Sequence, residues 1–280
     1  MAKRESNYNP DNKMVVSNHY IHAIHPEKMN INAMKLFRLA ITQCRMSDKG
    51  FYEYDFRIQD IAKAFEIDAD NLYRDVQENC KKMMQSLLYY GDGNPKHDWK
   101  YKTIFDECSY NSKTGTITVL LSDKMTDLFL QLKRDFTRIP ISAVLTMKSK
   151  YAIRLYELIC EKLNSRFPYA DTATEIQLSL DEARKVTGTE TKKTYDKISN
   201  FKSKVLLPSI REIEDNASWK IVLTDLKSGR KVTGFDMVVW SRNGWEYIED
   251  CKRKGIIPDR GPAAEEQLDG QMNIYDFIKP

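Results

Sequence analysis

Two hydrophobic periods alternate along this chain, and the same alternation occurs twice. From Ile31 to Cys44, Met34, Leu36, Phe37, Leu39, Ala40 and Ile41 form a broad apolar face, which predicts a helix. Gly50 breaks the pattern, and FYEYDFRI reads as a short strand. IQDIAKAFEIDADNLYRDVQENCKKMMQSLL predicts two helices meeting around Asp68. The first buries Ile58, Ile61, Ala62 and Phe65; the second buries Leu72, Val76, Cys80 and one of Met83 or Met84. Asp68 or Asp70 suits its N-cap, and Asn71, Arg74, Gln77, Lys81 and Lys82 take its polar side. Strand patterns follow: SLLYY, then WKYKTIFDECSY, then TITVLL after a Ser112–Gly115 turn. SDKMTDLFLQL predicts a helix capped by Ser122, with Met125, Leu128, Phe129 and Leu132 on its apolar face.

The order then repeats. After Pro140, KSKYAIRLYELICEKLNS predicts a long helix, TEIQL a strand, and LSLDEARKVTG a helix ending at Gly188. Thr191–Trp240 completes the second half. Tyr195, Ile198, Phe201 and Val205 share one face and are expected in the core. Pro208 is expected to stop this helix near Leu207 and start a short new one. Ile221, Leu223, Val232, Phe235, Val238 and Val239 supply a hairpin that turns at Ser228-Gly229. Both halves read long helix, strand, helix, turn, longer helix, hairpin. The expected fold is α+β, with two tandem winged-helix domains (helix-turn-helix plus β-hairpin) and flexible termini. The expected boundaries are a disordered stretch 1–16, a first domain 17–139, a second 140–250 and a tail 251–280.

Composition narrows the chemistry. The 280 residues are 41% hydrophobic and 30% charged, a soluble globular profile with room for two domains. The net charge is only +4, so a nucleic-acid argument must rest on where the charge sits. Thr191–Arg211 holds six Lys/Arg against one acid, Asp196. Lys227, Arg230 and Lys231 mark the hairpin tip. A basic helix followed by a basic-tipped hairpin suits a reader of duplex DNA. Five widely spaced cysteines without CxxC signal neither a disulfide framework nor zinc, and reduced cytoplasmic thiols are the simple expectation. No apolar run approaches the ~20 residues that span a bilayer, and MAKRESNYNPDNK has no apolar core. His19, His22 and His25 fall at three-residue steps, but Pro26 closes the run and no acid lies inside it. No metal, no cofactor and no catalytic residue are expected. No Walker loop, GxGxxG or nucleophile elbow occurs. A tyrosine-and-metal nicking enzyme is disfavoured, since two residues separate the histidines where an HxH pair is needed.

Three stretches carry a family resemblance: YAIRLYELI, YDKISNFKSKVLLPSIREIE and LKSGRKVTGFDMVV. With them the chain resembles the Rep_3-type plasmid replication initiators from about Ser17 to Trp240, more strongly in the second half. The resemblance implies a non-enzymatic, cytoplasmic protein of a bacterial host. It would bind repeated duplex sites (iterons) at a plasmid origin, help melt an adjacent AT-rich region and recruit host helicase machinery. It also implies interchange between monomers and dimers and repression of the protein's own gene. Lys193, Lys197, Asn200, Lys202 and Lys204 would lie on the reading helix with Lys192 beside it, and Lys227, Arg230 and Lys231 on the wing. The first domain would contribute phosphate contacts, through Asn71, Arg74 and Lys81, or the dimer interface. The alternative is a winged-helix transcriptional repressor without an initiation role.

The tail changes character after Tyr247. Its charged, Pro/Gly-rich stretch reads as a linker, and ~20 such residues reach roughly 25 Å. Gln271, Ile274, Tyr275 and Phe277 then resemble a sliding-clamp binding peptide, in which a Gln amide precedes apolar anchors. Alternatively, the apolar residues fold back onto the body.

Overall fold

The structure is a computed structural model that describes residues 3–5, 9, 11–25, 29–91, 94, 96–163, 172–253 and 271–273. It divides into two compact units, Met1–Lys150 and Tyr151–Pro280.

The first unit begins with β1 (Lys3–Glu5), β2 (Lys13–Ser17) and α1 (Asn18–His22). Then come α2 (Ile31–Ile41), β3 (Glu53–Arg57), α3 (Ile58–Phe65) and α4 (Ala69–Met84). The strands β4 (Leu87–Tyr90), β5 (Lys100–Thr103), β6 (Phe105–Asn111) and β7 (Thr116–Leu121) follow, and α5 (Thr126–Phe129), β8 (Phe136–Pro140) and α6 (Ile141–Thr146) close the unit. The main sheet has the order β1-β3-β7-β6, with β1 parallel to β3 and the other pairs antiparallel. Tyr20, Phe37 and Phe129 meet edge to face with centroids 5.3–6.0 Å apart at the centre of the core.

Several expectations change here. The stretch expected to be disordered contains β2, which pairs antiparallel with β8. Met14 and Val16 alternate inward and are fully buried, so the segment has apolar surface to hide despite its polar surroundings. WKYKTIFDECSY is two strands: buried Ile104 separates β5, which pairs with β4, from β6, which pairs with β7. The Ser122-capped helix is a 3₁₀ turn, Asp123–Met125, running into α5 and ending at Phe129. Of the methionine pair, Met83 is buried and Met84 exposed, while Cys80 is half-buried. Helix α6 packs on α2 and α3, so the compact unit runs to Lys150, beyond the boundary expected between 139 and 140.

The second unit runs α7 (Lys150–Leu163), β9 (Thr172–Ser179), α8 (Leu180–Thr187), α9 (Ile198–Phe201) and α10 (Leu207–Ala217). It finishes with β10 (Trp219–Ser228), β11 (Lys231–Ser241), α11 (Arg242–Arg253) and β12 (Gln271–Asn273). Its sheet has the order β10-β11-β9-β12, antiparallel throughout. The order β9-β11-β10 matches β3-β7-β6 of the first unit. In each unit the strand before the helix-turn-helix pairs with the second strand of the hairpin, so two winged helices stand in tandem. Gly188 ends α8 in the left-handed conformation at φ 65°, as its position predicts. Glu66, a non-glycine, takes the same role after α3 at φ 54°. Gly234 has a packing role: a Cβ there would lie 2.5 Å from the Leu178 carbonyl oxygen, so β11 and β9 approach closely only because none exists.

Candidate nucleic-acid interface

The helix expected to stop at Leu207 continues instead. Between α9 and α10 lies one π turn, Lys202–Leu206, and the run is helical from Ile198 to Ala217. Pro208 supplies the reason. It has no N–H to donate, and its ring collides with the carbonyl four residues back in a regular α-helix. The wider turn relieves the collision, and the Leu207 N–H donates to the Lys202 carbonyl five residues back.

The π turn also settles which faces are buried. Phe201, Val205, Leu206, Ile210 and Ile213 are buried, with Phe201 6.4 Å from Phe235 of β11. Tyr195 and Ile198, expected in the core, are only half-buried. Tyr195 packs edge to face on Tyr151, with centroids 6.4 Å apart, and their hydrogen bond pushes the Tyr195 phenol above its ordinary pKa. Ser199, Ser203, Lys204 and Arg211 are exposed along the opposite side.

The lysines divide into two groups. Lys193, in a 3₁₀ turn, Lys197 at the N-cap of α9, and Lys204 are exposed. Lys202 is half-buried and donates from Nζ to Asp225 Oδ1 of β10 at 2.6 Å. Lys192 is half-buried, with Nζ 3.5 Å from the Tyr151 hydroxyl and 5.7 Å from the centre of its ring. Asn200 donates from Nδ2 to the Thr194 carbonyl at 3.0 Å, so it braces the preceding turn; an adenine contact requires that amide to swing away.

A residue that sequence reasoning passed over fixes that turn. Arg184 Nη2 of α8 donates to the carbonyls of Tyr195 at 2.7 Å and Asp196 at 2.9 Å. Its guanidinium lies 5.7 Å from the centre of the Phe201 ring. The α8 helix, the turn and α9 are thereby cross-linked by one side chain. The only sequence signal was a base in the last turn of α8. Asp225, the partner of Lys202, was passed over too, because the contact joins residues distant in the chain. The wing is as expected: Gly229 turns at φ 61°, and Lys227, Arg230 and Lys231 are exposed around it.

In the first unit, Asn71, Arg74 and Lys81 are exposed on α4. This helix also carries acids. Arg74 pairs with Asp75 at 3.1 Å and Lys82 with Glu78 at 3.4 Å. Its hairpin exposes Asp106 and Glu107 on β6. Together α4 and β6 therefore expose a lower density of positive charge than the helix and hairpin of the second unit. Of the peptide around Gln271, the segment Gln271–Asn273 pairs antiparallel with Thr172–Thr174 of β9. Ile274, Tyr275 and Phe277 lie outside the described residues. Among the described residues no three His, Cys, Asp or Glu side chains converge as metal ligands.

Comparison with known proteins agrees with this architecture. A family described as "Initiator Replication protein, WH1" matches residues 13–160, and "Initiator Rep protein, WH2" matches residues 179–238. Among solved structures, one titled "Crystal structure of Pi initiator protein in complex with iteron DNA" is similar over 83% of this chain and 98% of its own, at 18% identity and a TM-score of 0.67. At that identity the likeness is one of fold. Domains 2 and 3 of RctB match over 75% of this chain and 81% of their own, at 11% identity and a TM-score of 0.39.

Proposed function

This chain belongs to the Initiator Replication protein family, and on that premise we propose that it binds direct repeats in duplex DNA at a plasmid origin and initiates replication there. The observation that carries the reading is the arrangement of the second unit. Lys193, Lys197 and Lys204 on the helical side and Lys227, Arg230 and Lys231 on the wing are exposed on the two elements that a winged helix lays against DNA. Cations on phosphate supply affinity that falls steeply with salt, while Ser199 and Ser203 are exposed for base edges and Asn200 joins them once its amide leaves the Thr194 carbonyl. Asn71, Arg74 and Lys81 of the first unit add weaker contacts. The protein acts as a non-enzymatic binder in the cytoplasm of a bacterial host. Among the described residues, no helix is long and apolar enough to cross a membrane. Repression of its own gene, interchange between monomer and dimer, and recruitment of helicase and sliding clamp belong to the same proposal, and they rest on the family likeness.

The test is a titration against duplexes carrying direct repeats from the protein's own replicon, beside scrambled duplexes, at several salt concentrations. Specific binding is at least about a thousandfold tighter than nonspecific binding. Equal affinity for both duplexes overturns the proposal.

A further inference from the structure

In the first unit, the exposed apolar surface is concentrated on one ribbon. Among the described residues, four of the six large exposed hydrophobic side chains are Met84, Leu87, Trp99 and Tyr101. All four sit at the end of α4, on β4 and β5, or, for Trp99, at the residue before β5. The register explains their exposure. Leu88 and Lys102 face each other on the inner side of the ribbon, both buried, and Lys102 Nζ holds both Asp127 carboxylate oxygens at 2.5 and 2.7 Å. The alternate positions, Leu87 opposite Thr103 and Tyr89 opposite Tyr101, therefore face outward.

The rings on that outer face are held in place. Tyr89 and Tyr101 lie 5.0 Å apart at 41°, and Trp99 lies 5.6 Å from Tyr101, edge to face. Trp99 is 57% and Tyr101 56% exposed. Backbone bonds between Ile24 and Tyr89, at 2.9 and 3.0 Å, fix the far edge of β4. A Cβ at Gly91 would lie 2.4 Å from the Tyr89 hydroxyl and 3.2 Å from Trp99 Cβ, so the glycine lets the chain close tightly on both rings. Lys96 and Asp98 are exposed in the turn beside the rings, and Lys100, in register with Tyr90, is exposed on the ribbon's other face.

We infer that the β4–β5 ribbon is a binding platform for single-stranded nucleic acid, with Trp99, Tyr101 and Tyr89 stacking bases and Lys96 meeting a phosphate. Every base offers a π face, so exposed rings beside a cation suit an unpaired strand whatever its sequence. A duplex hides those faces in its stack. The inference rests on the proposed role at an origin, where opening the duplex supplies the strand, and it assigns that strand a surface apart from the duplex-reading helix and wing.

The experiment uses the full chain and a labelled oligothymidylate, followed by fluorescence anisotropy. Trp99→Ala with Tyr101→Ala is expected to weaken binding by roughly tenfold or more. Affinity for direct-repeat duplex and the thermal melting curve should stay as in the parent, because both side chains are exposed. Trp99→Phe keeps a ring and should stay within about threefold of the parent. Unchanged oligothymidylate affinity in the double variant overturns the inference. So does a double variant that loses only self-association in sedimentation, which would make the ribbon an interface between copies. A parent that ignores its direct repeats but binds oligothymidylate through these rings overturns the origin reading and supports the platform.

Discussion

Lys202 and Asp225 tie the helical run after Ile198 to the β10–β11 wing, with the ammonium donating to the carboxylate at 2.6 Å. The two side chains are 28% and 23% exposed, so solvent screens the pair only in part. Lys202 is thereby committed within the domain, whereas Lys204, two residues on, is exposed. The two lysines should act differently on DNA. Lys204→Ala is expected to flatten the dependence of log affinity on log salt by about one unit. Lys202→Ala should leave that slope near the parent's, and Asp225→Asn should steepen it by releasing the ammonium. Equal flattening by both lysine variants would show that the ion pair opens on DNA.

What the sequence made legible follows from the range of the interactions. Gly188, the Ser228-Gly229 turn, the Asp68 cap and the apolar face of α3 depend on neighbours within a few residues, and all stand where they were expected. Strand β2 was not legible, since its partner β8 lies more than a hundred residues away and only Met14 and Val16 hinted at it. The π turn escaped because Pro208 argues equally for a break or a widened turn. Tertiary packing decides between them by burying Val205 and Leu206 together. At the candidate site, charge density was readable from the sequence. The division between exposed lysines and those held by Asp225 or Tyr151 was not, because both partners come from other elements.

Arg154 and Glu157 form a buried ion pair on α7, 4% and 0% exposed, and Arg154 Nε also donates to the Val186 carbonyl at 3.3 Å. The pair joins the long helix to α8 and so supports the helix-turn-helix from beneath. Glu157→Ala strands a buried guanidinium and is expected to cost about 3–5 kcal/mol. Replacing both residues with apolar side chains of similar volume should recover most of that loss. Denaturant melts of the single and double variants check this, and a single variant within about 1 kcal/mol of the parent contradicts it.

Strand β1 is held by a pair that responds to acid. The Arg4 guanidinium donates to both Asp48 oxygens at 2.7 and 3.0 Å and holds the carboxyl below its ordinary pKa. The folded value lies below the unfolded one, so the contribution is complete above the ordinary Asp value of about 3.9. It fades as pH falls through the lowered folded value. Protection of the β1 and β3 amides, relative to their intrinsic exchange at each pH, should therefore fall in strong acid and hold steady around neutral pH. Asp48→Asn should show low protection at every pH; high protection in that variant would mean that β1 docks without the pair.

The two winged helices should contribute unequally to duplex binding. Helix α4 balances Arg74, Lys81 and Lys82 against Asp70, Asp75 and Glu78, and β6 of its wing exposes Asp106 and Glu107. Between Thr191 and Arg211 the count is six bases to one acid, and the second wing has Lys227, Arg230 and Lys231 near its tip. Acids close to phosphate offset the attraction of neighbouring cations, and Arg74 already faces Asp75. Arg74→Ala is therefore expected to change affinity for a direct-repeat duplex by less than about threefold, with little change in salt slope. Arg230→Ala removes an exposed cation from a wing without competing acids at its tip, so it should weaken binding more and lower the slope by about one unit. Anisotropy titrations across a salt series decide between them. A larger loss from Arg74→Ala would mean that the first unit, despite its acids, holds the tighter grip on the backbone.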